Sequence, residues 1–138
     1  MKIKTVNVVL VEDEKVQQDM MSEILIESVG VDTVTCKDSA KTFKDYMDTE
    51  KGRLDTQLIM LDIKIGDDNG LELLSWLKQQ LDLADIPVCI VTGSTDGSDM
   101  NEARELGADV YMRKPLNFSM LKHVIYELPM FKTVVCLA

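Results

Sequence analysis

Hydrophobic and polar positions along the 138-residue chain follow two alternating periods. The runs "TVNVVLV" (5–11), "QLIML" (57–61) and "PVCIVT" (87–92) are nearly continuous in apolar, often β-branched residues, which predicts strands covered on both faces. "VDTVTC" (31–36) and "DVYM" (109–112) complete a set of five. Each is followed by apolar residues at helical spacing. Val16, Met20, Ile24 and Leu25 mark a first helix that stops near Gly30, and Phe43, Tyr46 and Met47 share a face of "SAKTFKDYMDTE", with Ser39 as its N-cap. "GLELLSWLKQQL" is the third helix, Met100, Ala103 and Leu106 mark the fourth, and Leu121, Val124, Ile125 and Leu128 the fifth. Five βα units predict an α/β, doubly wound fold, because right-handed crossovers place the helices over both faces of one parallel sheet.

Length and charge narrow this picture. A chain of 138 residues suits about one domain, expected at 1–128, while Pro129 interrupts the last helix and leaves 129–138 as a short tail or the start of a linker. The net charge of −9 makes attraction to nucleic acid or to an anionic membrane unfavourable. The opening "MKIKTVNVVLVEDE" lacks a signal-peptide pattern, and no apolar run approaches the roughly 20 residues of a membrane helix, so a soluble, cytoplasmic chain is expected. Cys36, Cys89 and Cys136 are odd in number and widely spaced, which suggests reduced thiols, with Cys89 buried, rather than a disulfide or a zinc site.

In open α/β sheets the ligand crevice lies beyond the carboxyl ends of the strands. Those ends carry Glu12, Asp13 and Glu14 on the first strand, Asp62 on the third, Thr92 on the fourth, and Arg113, Lys114 and Pro115 on the fifth. The second offers Cys36 and Lys37, which suits an edge position. Carboxylates crowded at one rim favour protonation or a divalent cation, and an all-oxygen set with few protein ligands suits Mg²⁺. With part of the charge neutralised, one carboxylate can act as a nucleophile toward phosphorus. Thr92 could hydrogen-bond a phosphoryl oxygen, Lys114 could balance its charge, and Gly93 would leave it room. Taken singly, each group has an ordinary reading as a turn, cap or surface residue; their joint occurrence at four strand ends favours the chemical one.

"VLVEDE", "LIMLDIKIGDDNGLELL", "IPVCIVTG" and "ELGADVYMRKPL" together resemble the receiver domain of two-component response regulators, over about Val6 to Leu128. The resemblance implies a flavodoxin-like (βα)5 fold with strand order 2-1-3-4-5. It makes Asp62 the phosphoacceptor, Asp13 a direct Mg²⁺ ligand, Glu12 a neighbour acting through water, and Lys64 the donor of a backbone carbonyl to the metal, with Mn²⁺ able to substitute. Thr92 would be the switch hydroxyl, Lys114 the phosphate-contacting lysine in a cis Lys114–Pro115 pair, and Tyr111 an aromatic that changes rotamer on activation. The implied donor is a sensor histidine kinase or a histidine phosphotransfer protein. The implied output is a surface of the fourth helix, fifth strand and fifth helix that controls a phosphorylation-dependent protein target and could also form a homodimer, with no direct contact to nucleic acid or membrane. Such a chain is a switch and not a turnover enzyme.

The sequence departs from the family pattern at Ile65 and Gly66, where most receivers have Met-Pro, so a more mobile loop is expected. Lys64 adds a second cation beside the acceptor, free to pair with Asp67 or Asp68, to reach a phosphoryl group or to point into water, and it is expected to alter phosphoryl lifetime. Two rival functions stand beside this one. A phosphorylation-independent receiver-like interaction module would keep the fold without the chemistry. An aspartyl-phosphate phosphohydrolase usually carries a second Asp two residues after the nucleophile, where this chain has Lys64. Other conspicuous residues have structural readings: Met20 and Met21 as flexible core filling, Trp76 packed beside the third helix, His123 on a surface, and "GDDNG" as a turn without calcium-loop spacing.

Overall fold

Residues 5–116 and 118–127 are described in the computed structural model, so the expected tail at 129–138 and Cys136 lie outside the described residues. The chain begins with β1 (Asn7–Val11), α1 (Lys15–Glu23) continued by a π-helical segment (Ile24–Val29), β2 (Thr33–Lys37), α2 (Ala40–Met47), α3 (Glu50–Asp55) and β3 (Leu58–Leu61). It continues through β4 (Lys64–Ile65), β5 (Asp68–Asn69), α4 (Gly70–Lys78), β6 (Val88–Thr92), α5 (Gly97–Glu105), β7 (Val110–Arg113) and α6 (Phe118–Tyr126). Five strands pair in parallel in the order β2-β1-β3-β6-β7, which is 2-1-3-4-5 when only the strands of this sheet are numbered. The doubly wound α/β class and the expected strand order are therefore those of the protein.

Successive strand residues point to opposite faces, and this divides the core in two. Val8, Leu10, Met60 and Cys89 face Met21, Leu25, Leu121 and Ile125, whereas Val9, Val11, Ile59, Leu61 and Ile90 face Phe43, Met47, Leu74 and Leu77. Burial on both sides explains why β1, β3 and β6 are continuous apolar runs, while the edge strand β2 is only partly covered. The order reverses between β1 and β3, and the crevice beyond their carboxyl ends is where the acidic residues gather. Among the described residues no helix is long and apolar enough to cross a membrane.

Several elements differ from expectation for identifiable reasons. The helix expected over 39–50 ends at Met47, and α3 follows as a separate turn. Thr49 caps α3 by accepting from Gly52 N at 3.0 Å and ties back to Tyr46 by donating to its carbonyl at 2.6 Å. Gly52 makes that fold-back possible, since a Cβ there would lie 2.2 Å from the Tyr46 carbonyl oxygen. The first helix closes through a π-type bond from Gly30 N to Leu25 O at 2.9 Å, with Gly30 left-handed at φ 90°. Ser39 caps α2 as expected, accepting from Thr42 N at 3.1 Å. Met21 is core, but Met20 is 54% exposed, because only one of two adjacent helical positions can face the sheet. Trp76 packs edge-on against Phe43 with ring centroids 6.4 Å apart, His123 is exposed, and Cys89 is buried.

Candidate functional site

The sheet ladder runs one residue past its strands and carries the polar groups with it. Glu12 N donates to Lys37 O at 3.0 Å, Asp62 N to Val11 O at 3.3 Å, and Lys114 N to Thr92 O at 2.8 Å. Glu12, Asp62 and Lys114 are thereby brought to one edge from three distant parts of the chain. The Lys114 ammonium donates to Asp62 Oδ2 at 2.7 Å and Glu12 Oε1 at 2.8 Å, and a third bond goes to Gln17 Oε1. The Lys114–Pro115 peptide is cis, as the resemblance implied. Thr92 is buried, and its hydroxyl oxygen accepts from Ser94 N at 3.2 Å.

Burial and charge pull against each other here. Burial pushes the Glu12 carboxyl above the usual carboxylate range, and the Lys114 ammonium only partly opposes this. For Lys114, burial would by itself favour the neutral amine, but the hydrogen-bonded carboxylates of Asp62 and Glu12 outweigh it and hold the pKa above that of an ordinary lysine. The ammonium is therefore the counter-ion shared by the two carboxylates that crowd this edge. Tyr111 packs into the core on the α4 and α5 side, where burial raises its pKa, and its hydroxyl finds no hydrogen-bond partner among the described residues.

A cleft of about 590 Å³ opens over this cluster, lined by Asp13, Asp62, Lys64, Thr92, Gly93 and Lys114 among others. The backbone of Asp62 is met by a close approach that no local sequence pattern indicates. Gly70, the first residue of α4, donates to Ile63 O at 2.6 Å, and a Cβ on it would sit 1.9 Å from the Asp62 carbonyl oxygen. Only glycine lets α4 start against the backbone of the acidic residue. Asn69 caps that helix, accepting from Leu71 N at 2.8 Å, whereas Asp68 reaches away and accepts from Ala40 N at 2.9 Å at the start of α2. A Cβ on Gly93 would meet nothing within 4 Å, so the cleft wall is open at the position expected to leave room for a phosphoryl group.

The loop expected to be loose is an antiparallel hairpin, with Lys64 opposite Asn69 and Ile65 opposite Asp68. Gly66 closes it at φ 59°, so the freedom of glycine is spent on the positive φ that a tight two-residue turn needs. Lys64 N donates to Asp62 Oδ1 at 3.3 Å, its side chain is exposed, and among the described residues it forms no ion pair with Asp67 or Asp68. Sequence reasoning missed Gln17, Gly70 and the Ser94–Asp99 hydrogen bond of 2.6 Å at the cleft wall. A glutamine one helical turn after an acidic strand end is the available signal for Gln17; "DDNG" suggests a turn and a cap for a helix beginning near Gly70, which Asn69 supplies, but not the close approach of Gly70 to Asp62.

The donors suit a hard cation. Asp13, Asp62 and Glu12 offer carboxylate oxygens around the same edge, yet among the described residues no three His, Cys, Asp or Glu side chains form a ready-made cage. The carboxylates present therefore fit a divalent cation that keeps several of its own waters.

A parallel 2-1-3-4-5 sheet with acids, a hydroxyl and a lysine meeting at its switch point defines a class, and the comparison with protein families agrees: residues 8–126 match the response regulator receiver domain, and the chain belongs to that family. Among named relatives it is similar to the polar-differentiation response regulator DivK of Brucella ovis, 29% identical over 113 residues that cover 82% of this chain and 87% of DivK. Its fold is that of the signal receiver domain of a signal transduction histidine kinase from Syntrophus aciditrophicus, with 28% identity, TM-score 0.74, and 94% and 92% of the two chains covered. It also matches the Mn(2+)-bound form of response regulator Rcp1, with TM-score 0.74, 23% identity, and 88% and 93% of the two chains covered.

Proposed function

We propose that this receiver domain is a phosphorylation switch in which Asp62 accepts a phosphoryl group from a phosphohistidine on a sensor histidine kinase or a histidine phosphotransfer protein. The observation that carries the reading is the Lys114 ammonium, delivered from the end of β7 to within 2.7 Å of Asp62 Oδ2 and 2.8 Å of Glu12 Oε1. In the transfer an Asp62 carboxylate oxygen forms the new O–P bond while the N–P bond of the donor breaks, leaving its electron pair on the imidazole nitrogen. Asp13, Asp62, the Lys64 backbone carbonyl and, through water, Glu12 would hold Mg²⁺ or Mn²⁺, which when bound neutralises charge on the transferred group. Lys114, already beside Asp62, then turns one of its N–H donors to the phosphoryl group. The Thr92 hydroxyl, which accepts from Ser94 N, keeps its own proton to donate to a phosphoryl oxygen.

These local moves bias the surface built from α5, β7 and α6, which Tyr111 joins to the site through the core, and that surface controls a protein target or pairs with a second copy. The chain acts as a switch, with catalysis limited to its own phosphorylation and dephosphorylation, in the cytoplasm where such donors work. Incubation with Mg²⁺ and acetyl phosphate should place one acid-labile phosphate on the wild type and none on Asp62→Asn. Label that persists in Asp62→Asn, or its absence from the wild type, refutes the assignment. Repeated turnover of a phosphomonoester would instead favour a phosphohydrolase, and target binding indifferent to phosphorylation would favour a constitutive interaction module.

A further inference from the structure

Resting on the phosphoacceptor reading, we propose that Gln17 is a positioning residue: it holds the Lys114 ammonium in the resting arrangement and sets how readily that ammonium passes to a phosphoryl group on Asp62. An ammonium has three N–H donors and no acceptor, and in this structure all three are used, on Asp62 Oδ2, Glu12 Oε1 and Gln17 Oε1. The orientation of the Gln17 amide is fixed from both ends. Its oxygen must face Lys114, which can only donate, and its Nε2 donates to Glu14 Oε2 at 3.0 Å. The next residue ties the same helical turn down, Gln18 Nε2 donating to Glu12 O at 2.6 Å. Gln17 is half-buried at the wall of the acceptor cleft, so its amide cannot swing into water without leaving this network.

The three partners are unequal. The ammonium charge assists all three bonds, but the Asp62 and Glu12 carboxylates add an opposite charge of their own, whereas the Gln17 amide is neutral and holds the ammonium more weakly. When an anionic phosphoryl group arrives on Asp62, Gln17 is the partner Lys114 surrenders. Removing its oxygen should favour the phosphoryl-engaged arrangement, and replacing it by a carboxylate should oppose that arrangement twice over, by retaining the ammonium and by repelling the incoming anion.

Two measurements test this. In metal-free, phosphate-free protein, the ¹⁵N-detected ammonium signal of Lys114 should exchange faster with water in Gln17→Ala than in the wild type. With Mg²⁺ present, beryllofluoride, a phosphoryl mimic, should bind Gln17→Ala about fivefold more tightly, about the net worth of one hydrogen bond that no longer competes for the ammonium, and Gln17→Glu about tenfold more weakly. Gln17→Asn, one methylene too short to reach, should behave as Gln17→Ala, whereas a merely structural glutamine would change the melting temperature and leave both readouts where they were. Unchanged ammonium exchange and unchanged beryllofluoride affinity in the three variants, beside normal wild-type binding, overturn the role of Gln17 alone. A wild type that binds no beryllofluoride overturns the phosphoacceptor reading and the transfer built on it.

Discussion

Two glycines flank the acceptor site, and the structure separates them sharply. In Gly70→Ala the new methyl would lie 1.9 Å from the Asp62 carbonyl oxygen, 2.9 Å from its carbonyl carbon and 3.0 Å from Ile63 Cα. An unstrained carbon contact needs about 3.5 Å, so the shortfall is roughly 1.6 Å against backbone that cannot rotate aside. Overpacking of a dense interior typically costs 1–3 kcal/mol, and the upper end applies here because the start of α4 or the residue after β3 has to move as a unit. About 3 kcal/mol corresponds to a fall in melting temperature of roughly 10 °C for a domain of this size. The displaced atoms belong to Asp62, so the damage is also chemical: a misplacement of about 1 Å at a reacting group slows transfer by about a hundredfold. Gly93→Ala is the control, because its methyl would meet nothing within 4 Å and should change stability by less than about 0.5 kcal/mol. Calorimetry and acetyl phosphate labelling of both variants decide the matter. If Gly70→Ala melts like Gly93→Ala and labels like the wild type, the close approach of α4 to the acceptor backbone does not constrain the site.

Lys114→Met leaves Glu12 and Asp62 without their counter-ion in a site where Glu12 is almost wholly buried, which should cost about 2–3 kcal/mol at neutral pH, reduced from the fully buried figure because the lysine side chain is 23% exposed. Glu12 already has a raised pKa, so its uncompensated charge weighs more as pH rises through that value; in EDTA the gap between variant and wild type should widen from pH 4 to pH 8, and a gap independent of pH contradicts the assigned pair. Lys64→Asn should shorten the phosphoryl half-life, because the longer side chain occupies cleft volume that an attacking water would take, and equal half-lives refute a role for Lys64. The Cys89 thiol, pushed up to about 12 by burial, should resist iodoacetamide at pH 8 in native protein while the partly exposed Cys36 reacts; rapid loss of both thiols would mean that the sheet face carrying Cys89 opens.

Most of the architecture could be derived without coordinates, because it follows from one-dimensional periods. Strands buried on both faces must be continuously apolar, helices over a sheet must be apolar every third or fourth residue, and five such alternations leave few topologies. Residue type at the strand ends was equally visible, which is why Glu12, Asp62, Thr92 and Lys114 could be picked out before the geometry was known. Short-range closures were not, because they depend on which backbone atoms meet. The break between α2 and α3 follows from Gly52 lying on Tyr46, the hairpin over Lys64–Asn69 from the positive φ of Gly66, and the seat of α4 from Gly70 lying on Asp62. Most of all, the sequence could say that a lysine and several acids would share one edge, but not that a single ammonium would divide its three bonds among Asp62, Glu12 and Gln17. That division depends on where Nζ comes to rest at the end of β7 relative to the first turn of α1, a distance set by the packing of the whole domain and recorded in no local pattern of residues.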